Sequence, residues 1–335
     1  MKSFLKTTLA ASALALTAMS AQAQDKLFIY VSPDPIGVNA FLKLGQTGIE
    51  EAGKKYGAEV KTFESKTATE RVENVNAAIN EGADIVVVLG FEFNDIMKEV
   101  GPANPDTQFL IVDQCIDDRP DNVHCAVFRE YEASYLMGVE AGLLTKSNKV
   151  GVVGALDIPF LHRYTDGYAQ GVKSVNPNAT VDVRWVGGES PFADPVRAKE
   201  QAVAMNAAGA DYIYTATSGG DFGVFEAAKE KGFKVFSVDV NHCPEMPGII
   251  VDQSLKHVNT ALVDAIGGIL NGDKQSVMAL GLKEGGVGAV ALDEATMGDS
   301  KCGIADHADV AAKVREVAKT ISDGSLKLED PMFAK

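Results

Sequence analysis

NAAINEGADIVVVLG (76–90) and AMNAAGADYIYTATSG (204–219) share one design, with Gly-Ala-Asp at 82–84 and again at 209–211, each leading into a β-rich run. Downstream of each copy a second β-rich run ends in Val-Asp and then a cysteine. These are TQFLIVDQC (107–115), with Asp113 and Cys115, and FKVFSVDVNHC (233–243), with Asp239 and Cys243. An internal repeat reports architecture ahead of local signals. This unit is too long for a solenoid repeat and about the size of an α/β domain. The chain therefore reads as two similar lobes facing one cleft.

Outward from the repeat, strand and helix patterns alternate, the signature of βαβ units and a mainly parallel sheet. KLFIYVS, AEVKTF, DIVVVLG, QFLIVD and VHCAVF alternate with helices near 39–56, 69–81 and 94–100 to give the first lobe. KVGVVGAL, TVDVRWV, DYIYTAT and KVFSVD alternate with helices near 132–145, 163–175, 195–208 and 222–231 to give the second. After GIIVDQS there remain a helix near 258–270, the run VMALGLKEGGVGAVAL and a terminal helix near 308–322. That remainder is too small to stand alone and should complete both lobes. The expected division is a leader over 1–23, an N-terminal lobe of 24–128 plus 254–281, and a C-terminal lobe of 129–253 plus 282–335. Crossings near Phe128, Ser254 and 281–288 make a multi-strand hinge, and hinge closure around a ligand is the motion such a design supports.

Met1 to Ala23 has basic Lys2 and Lys6, an apolar run from Thr8 to Met19 and a small-residue cleavage site at 21–23. That is a secretory signal peptide, too short in its apolar run to span a bilayer. With no cysteine just after the cleavage site, the expectation is a periplasmic protein without a lipid anchor. The formal net charge is −15 over 335 residues, and it becomes more negative once Lys2 and Lys6 leave. A nucleic-acid partner would require a basic face, so none is expected. The length exceeds the usual single-core limit, in keeping with two domains. The four cysteines, Cys115, Cys125, Cys243 and Cys302, permit three pairings. Cys115 with Cys125 and Cys243 with Cys302 would keep both bridges within single lobes; Cys115 with Cys243 would oppose hinge motion. The within-lobe pairing is expected. No metal-ligand spacing surrounds the histidines, and no cofactor is expected.

In open parallel sheets ligands bind beyond the carboxyl ends of the strands. That rule selects SPDPIGVNAF (32–41), GFEFND (90–95), VDQC (112–115), ALDIPFLHR (155–163), TSGGDFG (217–223), VDVNH (238–242) and the crossing near Lys256. A small-molecule cleft needs rings to bury an apolar surface and a few polar groups to orient it. Phe91, Phe160 and Phe222 are the candidate rings; Asn39, Asp113, Asp157, Asp239 and Lys256 are the candidate polar groups. A plainer reading stands beside each. Asn39 can be a helix N-cap, and Asp113 and Asp239 can cap or fix a turn, although the repeat places those two equivalently across the cleft. Phe93 and Trp185 read as core, and His162 as a surface or supporting residue.

Four passages also resemble the basic membrane protein family of substrate-binding proteins, whose best-known branch is the purine nucleoside receptor A-like nucleoside-binding lipoproteins. They are VVVLGFEFNDIMKEV (86–100), EYEASYLMGVEAGLLTKSNKVGVVGALDIPFL (130–161), GADYIYTATSGGDFGVFEAAKEKG (209–232) and GLKEGGVGAV (281–290). The resemblance implies a type I periplasmic-binding protein fold, an α/β fold of two doubly wound parallel-sheet lobes joined by a multi-strand hinge. It implies delivery of a small ligand to the permease of an ABC transporter. In the nucleoside-binding branch, rings sandwich the base while acidic and lysine side chains hold the sugar hydroxyls. By position, Asn39 matches the Asn of the family's Phe-Asn pair, Asp113 the aspartate after the fourth strand, and Asp239 with Lys256 the sugar-binding pair. Phe222 lies in the family's glycine-rich turn and could supply one ring. The sequence departs at the first loop, where Val38 stands in place of the Phe.

The reading is a monomeric solute-binding protein, not an enzyme, that closes on a nucleoside or related heterocycle; a sugar or polyol receptor, or a chemosensory one, is the alternative. Gly-x-Ser-x-Gly, His-Glu-x-x-His and the Walker loop are all missing from the sequence. The glycines of 281–290 lack dinucleotide spacing and fit a crossing better than a phosphate loop.

Overall fold

A computed structural model describes residues 26–273 and 277–333; the expected leader lies outside them. The chain first alternates β1 (Lys26–Ser32), α1 (Ala40–Tyr56), β2 (Ala58–Glu64), α2 (Ala68–Asn80), β3 (Ile85–Leu89), α3 (Asn94–Ala103), β4 (Gln108–Val112) and β5 (Val123–Phe128). It repeats the plan with α4 (Glu130–Leu144), β6 (Lys149–Gly154), α5 (His162–Val175), β7 (Thr180–Trp185), α6 (Pro195–Ala207), β8 (Tyr212–Ala216), α7 (Asp221–Lys231), β9 (Lys234–Asp239) and β10 (Ile250–Lys256). α8 (Val258–Leu270), β11 (Val277–Leu280), β12 (Val287–Ala289), α9 (Glu294–Asp299) and α10 (Ala308–Ser322) follow.

Two six-stranded sheets result, ordered β11-β5-β4-β3-β1-β2 and β12-β10-β9-β8-β6-β7. The pairings are parallel except that of β12 with β10. β3 is buried along its whole length, as expected of a strand covered by helices on both faces. α1 begins where the Asn39 side chain accepts from the Leu42 amide at 3.1 Å and ends at Gly57, whose φ of 66° suits glycine. The run 277–292, read as one stretch, is two short strands in different sheets. β10 keeps its pairing with β12 through Lys256, so the chain leaves the second sheet at His257, beyond the Ser254 crossing read from the sequence.

The three crossings lie side by side. Arg129, just after β5, receives the backbone of the third crossing: its guanidinium pairs with Glu132 and Glu284, and its amide donates to Leu280 O at 2.9 Å. Glu132 in turn accepts from the Leu282 amide at 2.7 Å. Gly281 is required here, because a Cβ would run into Glu132 and the Arg129 guanidinium. The glycine-rich 281–290 is thus a hinge strand. Disulfides join Cys115 to Cys125 and Cys243 to Cys302, each inside one lobe, leaving the hinge free.

Each lobe has its own core. In the second, α4 is buried on nearly every side, its glutamates Glu130, Glu132 and Glu140 included. It meets α5 at two glycines: a Cβ on Gly138 would strike Tyr168 O, and one on Gly171 would strike Tyr135 O. That close approach sets the spacing of Glu130 and Arg163, which begin the two helices. Gly171→Ala should therefore destabilise the protein by about 1–3 kcal/mol through overpacking, although alanine gains up to about 1 kcal/mol in helix propensity. A urea midpoint equal to or above that of the parent would refute the interlock.

Candidate ligand-binding cleft

The carboxyl ends of the two sheets face one cavity of about 60 Å³. Asn39, Phe91 and Asp113 line it from the first lobe; Phe160, Asp239 and Lys256 line it from the second. Ligand pockets usually measure about 300–1,000 Å³, so the two lobes here lie close together.

Asp113 follows β4 with φ 84°, and Asp239 ends β9 with φ 69°. Left-handed backbone is uncommon outside glycine, and Asp is one of the few residues that tolerates it, because its short side chain can hydrogen-bond locally. Neither residue caps a helix; the N-caps with side-chain bonds in the described residues are Asn39, Thr67, Asp194 and Asp293. The two strand-end aspartates share a conformation and face one another across the cavity. Asn39 serves in both capacities, capping α1 and lining the cleft.

Lys256 dominates the electrostatics. Only 3 % exposed, its ammonium pairs with Asp113 of the opposite lobe and with Glu130 at 2.9 Å, and donates to the Tyr164 hydroxyl at 3.2 Å. The rings of Phe41, Phe128, Phe160 and Tyr164 lie 5.0–5.9 Å from it, within cation–π range. Burial alone would push its pKa down, but the charges of Asp113, Glu130 and Asp239 outweigh burial and keep it protonated. Burial pushes Glu130 up, with Lys256 and Arg163 opposing. Burial also pushes Asp239 up to about 7, against the pull of Lys256, and its carboxylate accepts from Ser218 Oγ at 3.5 Å.

The charge chain continues outward. Arg163 donates to Phe128 O at 3.0 Å, to Glu130 at 3.2 Å and to Asp330 at 2.6 Å. It ties the end of β5 and the C-terminal segment to the cleft cluster.

Asp157 and Phe222, the other two candidates from the sequence, do not reach the cavity. The Asp157 side chain is 67 % exposed and bonds His162 Nε2 at 2.9 Å, while Asp166 holds Nδ1 at 3.1 Å. That pair of carboxylates accounts for His162. Phe222 turns its ring onto Phe225 and His242 and borders a separate hollow together with Val38. The ring that meets Phe91 across the cleft is Phe192, at 6.3 Å between centroids. Sequence reasoning passed over Phe192 because it sits in a loop away from any strand end. Phe41 and Glu92 lay inside segments the strand-end rule had selected, and Tyr164 lay one residue beyond one. Among the described residues no His/Cys/Asp/Glu cluster could hold a metal ion.

A family model described as ABC transporter substrate-binding protein PnrA-like, Bmp, matches residues 28–324. The chain is 32 % identical over 300 residues to the CD4+ T-cell-stimulating antigen of Listeria monocytogenes, covering 84 % of this chain and 82 % of that one. It is 31 % identical over 288 residues to the ABC transporter nucleoside-binding protein BmpA of Lactococcus lactis, covering 78 % and 81 %. Among solved structures, an ABC transporter solute-binding protein from Aeropyrum pernix superposes with a TM-score of 0.76 at 24 % identity, covering 92 % of this chain and 94 % of that one. That likeness establishes the fold, two α/β lobes with parallel sheets.

Removing Lys256 would leave buried Asp113 without its ion-pair partner and Glu130 with Arg163 alone. Lys256→Met is expected to cost about 3–5 kcal/mol of stability, the usual penalty for breaking a buried ion pair from one side. Chemical denaturation measures it, and an unchanged free energy of unfolding would show that the cluster does not hold the lobes.

Proposed function

The chain belongs to the Bmp family of PnrA-like ABC transporter substrate-binding proteins, and from that premise we propose that it closes on a nucleoside or closely related heterocycle outside the cytoplasmic membrane and hands it to an ABC importer. The observation that carries this reading is the pairing, in one inter-lobe cavity, of two rings with strand-end carboxylates. Phe91 and Phe192 meet at 6.3 Å between centroids with their planes tilted by 49°, so holding a planar ring between them requires them to turn parallel with roughly 7 Å between them. Asp239, Asp113 and Lys256 offer the acceptors and donor that vicinal hydroxyls require. Closure removes water from these groups, so each hydrogen bond counts for more than at the surface. A ligand lacking a hydroxyl would leave a buried carboxylate unpaired, which is how such a site discriminates. The relative named as nucleoside-binding supports the same ligand class.

The reading assigns the leader to export and the described residues to a receptor outside the cytoplasmic membrane. It assigns 26–128 with the segment containing α8 and β11 to one lobe and the remainder to the other.

The test is a thermal-shift screen of ligand-stripped protein against purine nucleosides, pyrimidine nucleosides, free bases and sugars, followed by calorimetry. A ligand at a hundredfold its Kd should add about 2.7 kcal/mol, a rise of several degrees. Nucleosides should shift the transition, and Asp239→Asn should weaken them at least about tenfold, the equivalent of losing about 1.5–3 kcal/mol of a charged hydrogen bond. A response to sugars alone would replace the nucleoside with a polyol.

A further inference from the structure

Glu92 stands in the cavity wall in a role that neither the ring pair nor the ion cluster accounts for. It follows Phe91 in the turn after β3, and its carboxylate folds back over Gly90. A Cβ at Gly90 would run into Oε2, and the Gly90 φ of 98° is itself one that side chains avoid. The groups facing this carboxylate are Asp34 from the loop before α1, Asp113 from the end of β4 and Arg71 from α2. Arg71 is already engaged, donating to Pro33 O at 2.8 Å and to Asp34 at 3.1 Å. Lys256 is engaged by Asp113 and Glu130. The hydrogen bond that reaches Glu92 comes from its own backbone N–H.

A half-buried carboxyl in the cavity wall, under the influence of two other carboxylates and with Arg71 and Lys256 already paired, gains most from donors that arrive with the ligand. Burial, opposed by its own amide and Arg71, holds it at about 7 instead of the ordinary carboxylate range. It lines the same cavity as its neighbour Phe91, from the first lobe, whereas Ser218 and Asp239 line it from the second.

We propose that Glu92 is a specificity-determining residue that accepts hydrogen bonds from ring-edge N–H groups of the ligand. The cleft then favours a heterocycle with an imino N–H beside an exocyclic amino group, as in guanine, over one presenting a bare ring nitrogen, as in adenine. This rests on the nucleoside reading above. Donors from the ligand favour the ionised form, so below about pH 7 a proton must leave as the ligand binds. Affinity for the donor-edged ligand therefore falls as pH drops through that value and levels off above it.

Calorimetry with guanosine, inosine and adenosine, on either side of neutral pH and in buffers of different ionisation enthalpy, tests this in the parent, Glu92→Gln and Glu92→Leu. The parent should bind guanosine at least about tenfold more tightly than adenosine and release a proton on binding near neutral pH. Glu92→Leu should abolish that preference by weakening guanosine far more than adenosine. Glu92→Gln should remove the Glu92 share of proton release and leave that of Asp239. Nucleosides that bind with the same preference and the same proton release in all three proteins would overturn the assignment of Glu92 alone. A parent that binds none of them would overturn the nucleoside reading, and this inference with it.

Discussion

One buried cation organises the molecule. Lys256 sits at the end of β10, out of reach of water, and its partners come from both lobes: Asp113 from the first, Glu130 and Tyr164 from the second. Taking an ammonium out of water costs several kcal/mol, and only well-placed carboxylates offset it. The ion pair to Asp113 therefore joins the two lobes across the cleft. On the proposed reading, a ligand would substitute for that pair, bringing an acceptor for Lys256 and donors for Asp113. An apolar molecule of the right shape could not make the exchange, because it would strand both charges. Selection for a polar, hydroxyl-bearing ligand is in this sense a property of the resting protein.

The same cluster reaches the hinge through Arg163, which joins Glu130, the last carbonyl of β5 and Asp330 near the chain's end. The third crossing is held separately by Arg129 with Glu132 and Glu284. Two charge clusters thus brace the crossings, beside the apolar contacts of Phe128, Val258, Leu282 and Val287. Ion pairs suit that position. They tolerate small changes of angle as the lobes move, whereas an interdigitated apolar contact would have to be broken and remade. The disulfides, each confined to one lobe, stiffen the bodies and leave the motion to these crossings.

Much of the architecture was legible because it depends on patterns that repeat. The β-branched runs, the Gly-Ala-Asp signature and the duplicated Val-Asp ends reported two wound lobes, and the strand-end rule led to Asn39, Phe91, Asp113, Phe160, Asp239 and Lys256, all on the cavity wall. What escaped depends on direction, which a sequence does not carry. Phe222 opens α7 at the correct end of its sheet, yet the first turn of the helix points its ring onto Phe225 and His242. Phe192 reaches the cleft from a loop that no periodicity marks. Glu130 lay outside the helix read near 132–145, and only the packing of α4 against α5 reveals that its carboxylate lies inside. Asp157 failed for a local reason, since His162 offers it a partner on the surface.

The duplication also explains an asymmetry. Asp113 and Asp239 occupy equivalent strand ends with the same left-handed backbone, so descent from one plan placed two like charges at one cavity. Two buried carboxylates at close quarters cannot both remain charged without compensation. The structure divides the compensation unequally: Lys256 pairs directly with Asp113, while Asp239 has Ser218 and a more distant share of the same cation, and its carboxyl rises to about 7. The two ends have thereby become chemically distinct, one paired directly to the cation and the other a group that can give up its proton when a donor arrives. A symmetric fold has produced a site with a direction, and an unsymmetrical ligand, with a ring at one end and hydroxyls at the other, is the kind of molecule that such a direction can read.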